Sequence, residues 1–236
     1  MNQVLATTAL AGGYTDVNII HDINLHVNPE EIVTIAGTNG AGKSTFLKAL
    51  LGLLPRTEGT VHLYGQDISG LSTESRIELG LAYVPQVTNV FRSLTVMENL
   101  QVADRKVSRH QIDEMLAVFP ALGTRLSQRA GTLSGGERQQ LAFARALIRA
   151  PKIIVLDEPT AALAPGLVQS IFDVIGKLKA LKVAVLMVEQ RARQALEISD
   201  RGYILDQGKV VLSGNARELL DNPEMTELYL GTQAHT

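Results

Sequence analysis

The chain has no cysteine among its 236 residues. That excludes disulfides and cysteine-ligated zinc, and it suits a reducing compartment such as the cytosol. No apolar run approaches the roughly 18 to 20 residues that a membrane-spanning helix requires. The longest candidate, Val183-Ala184-Val185-Leu186-Met187-Val188, has the length of a strand. Neither sign of charge is in large excess: the net charge is −2. The strong basic balance of a nucleic-acid footprint is missing, so no nucleic-acid partner is expected. Met1-Asn2-Gln3-Val4-Leu5 shows no basic stretch followed by a long apolar core, and a secretory signal is not expected there. Internal repeats and low-complexity segments are also lacking. The 45% apolar content is ordinary for a folded protein, and the length suits one large domain or a core with a small insert.

The most informative stretch that is present is Gly37-Thr38-Asn39-Gly40-Ala41-Gly42-Lys43-Ser44-Thr45. It fits G-x-x-x-x-G-K-[ST], the phosphate-binding loop. Ile32–Ala36 before it reads as a buried strand, and Phe46–Leu51 after it reads as a helix. This context separates a working phosphate loop from a chance match. Glycines let backbone N–H groups converge on phosphate oxygens, and the helix N-terminus adds partial positive charge. In such a loop Lys43 reaches the β- and γ-phosphates, and the Ser44 hydroxyl takes a place on Mg²⁺.

The rest of the chain reads as an α/β protein with a helical insert. Val27-Asn28-Pro29-Glu30 is a turn, and Thr60–Gly65 alternates like a half-buried strand. From about Thr95 to Ala150 the spacing is helical, carried by Met97, Leu100, Ile112, Met115, Phe119, Leu141, Ala144 and Leu147. Strands return at Ile153–Leu156 and Val183–Val188, with a helix between them through Val168, Ile171, Phe172, Ile175 and Leu178. Tyr203–Leu212 reads as a hairpin and Ala216–Leu230 as a helical tail broken at Asn222-Pro223. Strands alternating with helices predict a parallel sheet. A single domain is expected, with residues 1–94 and 151–236 forming the core and 95–150 the insert.

Two further motifs follow. Ile153-Ile154-Val155-Leu156-Asp157-Glu158-Pro159 is an apolar strand ending in two carboxylates. After a phosphate loop, Asp157 is a candidate for holding Mg²⁺ and Glu158 for polarising the attacking water. Leu133-Ser134-Gly135-Gly136-Glu137 precedes a helix. Ser134 and Glu137 have the spacing of a capping box, which alone explains them as a helix start. The two glycines add a second bare helix N-terminus, another anion site. One explanation for two such sites is a dimer in which each nucleotide lies between one subunit's phosphate loop and the other's Ser-Gly-Gly.

With the order phosphate loop, Leu-Ser-Gly-Gly, Asp-Glu-Pro, the chain resembles the ATP-binding subunits of ABC transporters over essentially its whole length. Within them it is most similar to the LivF-like ATPases of branched-chain and hydrophobic amino acid importers. The resemblance implies a P-loop NTPase fold with a RecA-like parallel core, an N-terminal antiparallel β subdomain and an inserted helical subdomain. It implies ATP and Mg²⁺ as ligands, with Glu158 as base. It implies as partners a second ATPase (LivG-like, or another copy), two transmembrane permease subunits and, indirectly, a substrate-binding protein. The expected location is the cytoplasmic face of the cell membrane. The resemblance also makes Tyr14 the aromatic that stacks on adenine. It makes Gln86, in Tyr83-Val84-Pro85-Gln86, the glutamine that touches Mg²⁺ and water and links to the permeases. Val87–Leu100 would then lie near that coupling surface, with Val90, Phe91 and Leu94–Val96 either contacting the permeases or packing in the core.

Two positions depart from the general family pattern. Ala164 stands where an aspartate is usual, and Gln190, in Val188-Glu189-Gln190, stands where most members have a switch histidine. Gln190 can donate a hydrogen bond to a γ-phosphate but cannot become a cation near neutral pH. Both departures resemble LivF-like chains, as does Glu137 where many relatives have Gln. They also leave open a largely non-catalytic ATP-binding subunit, and related importers carry urea or other amides. A GTPase is disfavoured because the guanine-reading Asn-Lys-x-Asp is absent. DNA-repair and chromosome-structure ATPases are disfavoured because long coiled-coil heptads and a cysteine hook are absent. His21, His26, His62, His110 and His235 show no ligand spacing. The methionines read as core filler, and the charged residues between Asp104 and Glu114 as a solvated helix face.

Overall fold

A computed structural model describes residues 3–87, 89–104, 106–161 and 163–223. The expected helical tail beyond residue 223, and His235, lie outside the described residues, as does Ala162.

Two sheets organise the chain. The first is antiparallel, built from β1 (Leu5–Gly13), β2 (Ile20–Val27), β4 (Arg56–Leu63) and the short β5 (Gln66–Asp67), in the order β2-β1-β4-β5. The strand expected at Thr60–Gly65 starts earlier and ends at Leu63. Tyr64 and Gly65, with φ of 51° and 76°, turn the chain into β5 instead. The second sheet is mostly parallel. It contains β3 (Ile32–Ala36), β6 (Leu81–Val84), β7 (Ile153–Asp157), β8 (Ala184–Glu189), β9 (Arg201–Asp206) and β10 (Lys209–Asn215), in the order β10-β9-β3-β8-β7-β6. β10 pairs antiparallel with β9 as the expected hairpin.

The central strands β3, β7 and β8 are almost continuously apolar and buried, as parallel strands covered on both faces must be. Their alternation divides the core. Ile153, Val155, Leu186, Val188, Val33 and Ile35 pack on one face with Phe46 and Leu47 of α1 (Lys43–Leu51). Ile154, Leu156, Val185 and Met187 pack on the other with Ile171 and Phe172 of α7 (Pro165–Lys177) and Leu141, Ala142 and Phe143 of α6 (Gly135–Leu147). β10, at the sheet's edge, has no buried residue. α2 (Thr73–Glu78) precedes β6. α8 (Ala192–Glu197) and α9 (Ala216–Asp221) close a small third cluster with Ala36 and Ile204.

Between β6 and β7 the chain is helical: α3 (Val96–Ala103), α4 (Arg109–Val118), α5 (Pro120–Gly123) and α6. Three of these four begin with capping boxes, Thr95/Glu98, Ser108/Gln111 and Ser134/Glu137, each satisfying orphan N–H groups reciprocally. The charged face of α4 is solvated, with Arg109–Asp113 at 3.1 Å and His110–Glu114 at 3.6 Å. Met97, Met115 and Met187 pack in the core.

One of the buried charges, in α2, forms no ion pair with a carboxylate among the described residues. Arg76 of α2 is 2% exposed and donates to the carbonyls of Leu50, Ser69 and Leu71. It therefore satisfies the C-terminal end of α1, where carbonyls lack helical partners. Replacing Arg76 by Ala strands these buried acceptors. The expected loss is about 2–3 kcal/mol of unfolding free energy, read from the urea midpoint. An unchanged midpoint would show that water replaces the guanidinium without cost.

Candidate phosphate-binding site

The loop after β3 is held from below. A Cβ on Gly37 would come within 2.2 Å of the Leu205 carbonyl oxygen, so the β9 backbone approaches as closely as it does only because residue 37 has no side chain. Gly42, the N-cap of α1, has φ of 99°, a conformation that L side chains rarely adopt. Gly208, in the β9–β10 turn, donates its N–H to the Ala41 carbonyl at 2.9 Å and locks the loop from the far side. Asn39, Gly40, Gly42, Lys43, Ser44 and Thr45 line an open cleft of about 350 Å³ together with Ile19 and Glu158. Lys43 is 5% exposed, and its ammonium donates to the carbonyls of Gly37 and Thr38, both at 2.9 Å. Burial pulls its pKa down, and the charges of Glu158, Glu189 and Asp157 oppose that pull.

β7 delivers the carboxylates to the same edge. Asp157 ends the strand, and Tyr83 of β6 donates its hydroxyl to Asp157 Oδ2 at 3.1 Å. Glu158 follows in a left-handed conformation, φ 43°, which is strained for a residue with a side chain. Its N–H is fixed on the Val188 carbonyl at 2.9 Å. Gln86, in the exposed loop after β6, donates its side-chain amide to Glu158 Oε2 at 3.0 Å. Burial raises the pKa of both carboxyls. At Asp157 the Tyr83 bond and Lys43 counteract it. At Glu158 Lys43 counteracts it, while Asp157 and Glu189 push further up. Burial, and then Asp157, raise the Tyr83 phenol.

The adjoining strand holds a residue that the sequence reading passed over. Glu189 ends β8, is 1% exposed and accepts four hydrogen bonds. Two come from Thr160, its N–H at 3.0 Å and its hydroxyl at 2.6 Å. The others come from the N–H groups of Gln190 and Arg191, at 2.9 and 3.1 Å. One buried carboxylate thus joins the loop after Glu158 to the turn that carries Gln190, whose own side chain is exposed. Glu189 and Thr160 carried no motif, because an acid after a strand and a threonine in a loop are common. Ala164 caps α7 without a side-chain bond, and Pro165 occupies the first helical turn.

Other expected residues fall outside the cleft. Tyr14 is exposed beside α1, where Lys48 donates to its hydroxyl at 3.0 Å and lowers its pKa. Leu133, Ser134, Gly135, Gly136 and Glu137 lie at the start of α6, where no residue lines the cleft. Glu137 accepts from the Ser134 N–H at 2.8 Å and pairs with Arg125 at 2.8 Å. Of the residues expected near a coupling surface, Val90 and Val96 turn into the core, while Phe91 stays exposed with the Arg145 guanidinium 4.6 Å from its ring centre.

A glycine loop between a parallel strand and a helix, beside an Asp-Glu strand end, defines a P-loop nucleotide-binding ATPase. The chain belongs to the ABC transporter family, whose model matches residues 20–161. It is 44% identical, over 97% of its length and 99% of the relative's, to a probable branched-chain amino acid transport ATP-binding protein, LivF, of Archaeoglobus fulgidus. Identity to the high-affinity branched-chain amino acid transport ATP-binding protein BraG of Pseudomonas aeruginosa is 42%, over 92% of this chain and 95% of that one. A lipopolysaccharide export system ATP-binding protein, LptB, of Haemophilus influenzae is 34% identical over 98% of each. Among solved structures, the ADP conformation of an ATP-binding cassette of an ABC transporter superposes with a TM-score of 0.87 at 26% identity, covering 98% of this chain and all of that one. The chain is an ATP-binding, ATP-hydrolysing subunit of a transporter. No helix among the described residues is long and apolar enough to cross a membrane.

The Glu189 joint gives a stability prediction. Glu189→Ala removes the acceptor for three N–H groups and a hydroxyl at a buried position. It is expected to cost about 3 kcal/mol or more in chemical denaturation. A loss below about 1 kcal/mol would mean that these donors find other partners.

Proposed function

We propose that this chain is the ATPase subunit of an importer for branched-chain or other hydrophobic amino acids. The observation that carries the substrate class is the identity to LivF and BraG over nearly the whole chain, 44% and 42%, against 34% to LptB. The geometry supports the chemistry. Phosphates lie on Gly37, Thr38, Asn39, Gly40, Ala41, Gly42, Lys43, Ser44 and Thr45, with the Lys43 ammonium on the β- and γ-phosphates and adenine stacked on Tyr14. The Ser44 hydroxyl, the Asp157 carboxylate and the Gln86 side chain are hard oxygen donors that fit Mg²⁺. Among the described residues no cluster of three or more His, Cys, Asp or Glu forms a metal cage, as suits an ion shared with phosphates. Mg²⁺, when bound, neutralises charge developing on the phosphates.

Glu158 is the base. It takes a proton from the attacking water as the bond from the γ-phosphorus to the ADP oxygen breaks, and Gln86 orients its carboxylate. Gln190 donates to the γ-phosphate. Leu133, Ser134, Gly135, Gly136 and Glu137 close on the nucleotide of a second ATPase, LivG-like or another copy, arranged head to tail. ATP binding the closed pair more tightly than the open one drives closure. The helical segment of about residues 95–150 then moves as a unit and, with the Gln86 loop, shifts two permease subunits served by a substrate-binding protein. The complex sits at the cytoplasmic face of the membrane. The Glu158 carboxylate at the cleft favours this over a non-catalytic subunit.

Glu158→Gln is expected to lower ATP turnover about 10²- to 10⁴-fold, the range for a general base, and to trap a nucleotide-bound dimer. Normal turnover would remove Glu158 from the role. Deleting the gene is expected to abolish uptake of labelled hydrophobic amino acids, with rescue by the intact chain and none by Lys43→Ala. Loss confined to urea would move the chain to a sister importer, and unchanged uptake of every substrate would refute the import assignment.

A further inference from the structure

We propose that Tyr83 is a positioning residue for the divalent cation that accompanies the nucleotide, acting through its hydrogen bond to Asp157. The proposal rests on the reading of Asp157 as a cation ligand and goes beyond it. Tyr83 pairs with Val155 across the parallel β6–β7 ladder. Side chains alternate along a strand, so Tyr83, Val155 and Asp157 share one face, the face that carries α1. The Tyr83 ring packs half-buried against that core, and its hydroxyl reaches Asp157 Oδ2 at 3.1 Å. Among the described residues no other donor bonds this carboxylate.

The chemistry of the donor suits the task. A carboxylate at a strand end can rotate about two side-chain bonds, and a single fixed donor selects one orientation. A neutral phenol does so without supplying positive charge, so the carboxylate keeps its net negative charge and its free oxygen for a hard cation. A lysine or arginine in its place would compete with the ion. The packing and the hydrogen bond are also separable, because phenylalanine keeps the ring and loses only the O–H. Outer-shell partners of this kind typically change metal affinity by about 10- to 100-fold when removed.

The test is equilibrium binding of a non-hydrolysable ATP analogue across a range of Mg²⁺ concentrations, with the intact chain, Tyr83→Phe and Asp157→Asn. Each is also measured in EDTA, which reports whether the phosphate loop is intact without the ion. The expected result for Tyr83→Phe is a Mg²⁺ midpoint about 10-fold higher, with unchanged binding in EDTA, and a larger rise for Asp157→Asn. A merely structural tyrosine would weaken binding equally with and without Mg²⁺, and that result overturns the proposal. A midpoint unmoved in Tyr83→Phe but raised in Asp157→Asn also overturns it while leaving the Asp157 reading intact. A midpoint unmoved in both overturns the Asp157 reading, and the Tyr83 proposal with it.

Discussion

Everything at the site depends on the register of four parallel strands. Ala36 of β3 lies beside Glu189 of β8, Val188 of β8 beside Asp157 of β7, and Leu156 of β7 beside Val84 of β6. Strand ends aligned in this way release four segments along one edge: the loop from Gly37, the turn at Gln190, the Asp157-Glu158 pair and the loop bearing Gln86. Ligands of open α/β sheets bind outside such carboxyl ends. A one-residue slip of β7 would turn Asp157 to the opposite face and place Leu156 among the polar groups. The apolar alternation that fills both faces of the sheet is therefore also what aims the chemistry.

Three carboxylates meet at this edge in different environments. Glu189 accepts from four donors. Among the described residues Asp157 has one donor, a phenol. Among the same residues Glu158 has one, from a glutamine in an exposed loop, and it stands on a strained backbone. Hydrogen bonds to a charged form fix it, whereas burial without them leaves the group reactive toward protons. This gradient suits the proposed division of labour: Glu189 as a structural joint, Asp157 as a cation ligand and Glu158 as a base.

The glycine-rich loop after β3, the strands around it and the helices between β6 and β7 were legible in the amino-acid sequence, because each is written locally. Gly37–Thr45 is a contiguous motif, Ile153–Leu156 a contiguous apolar run, and Ser134-x-x-Glu137 a contiguous cap. The Thr95/Glu98 and Ser108/Gln111 caps have the same spacing but were not singled out in the sequence. What was not legible joins residues distant in sequence. Glu189 meets Thr160 across 29 positions, Tyr83 meets Asp157 across 74, and Gln86 meets Glu158 across 72. Such pairings follow from sheet order, and no single segment contains it. The β4 boundary was misplaced for a smaller reason: the alternation of Thr60–Gly65 continues past Leu63, but Tyr64 takes a left-handed turn conformation that alternation does not reveal.

Hydrogen–deuterium exchange of the intact chain, with and without Mg²⁺ and a non-hydrolysable ATP analogue, tests most directly whether this sheet edge is the nucleotide site. The account predicts slowed exchange in the segments around residues 37–45, 84–87, 157–161 and 189–191, with the β4–β5 ribbon unchanged. Protection confined to other segments, or none at saturating nucleotide, would contradict it.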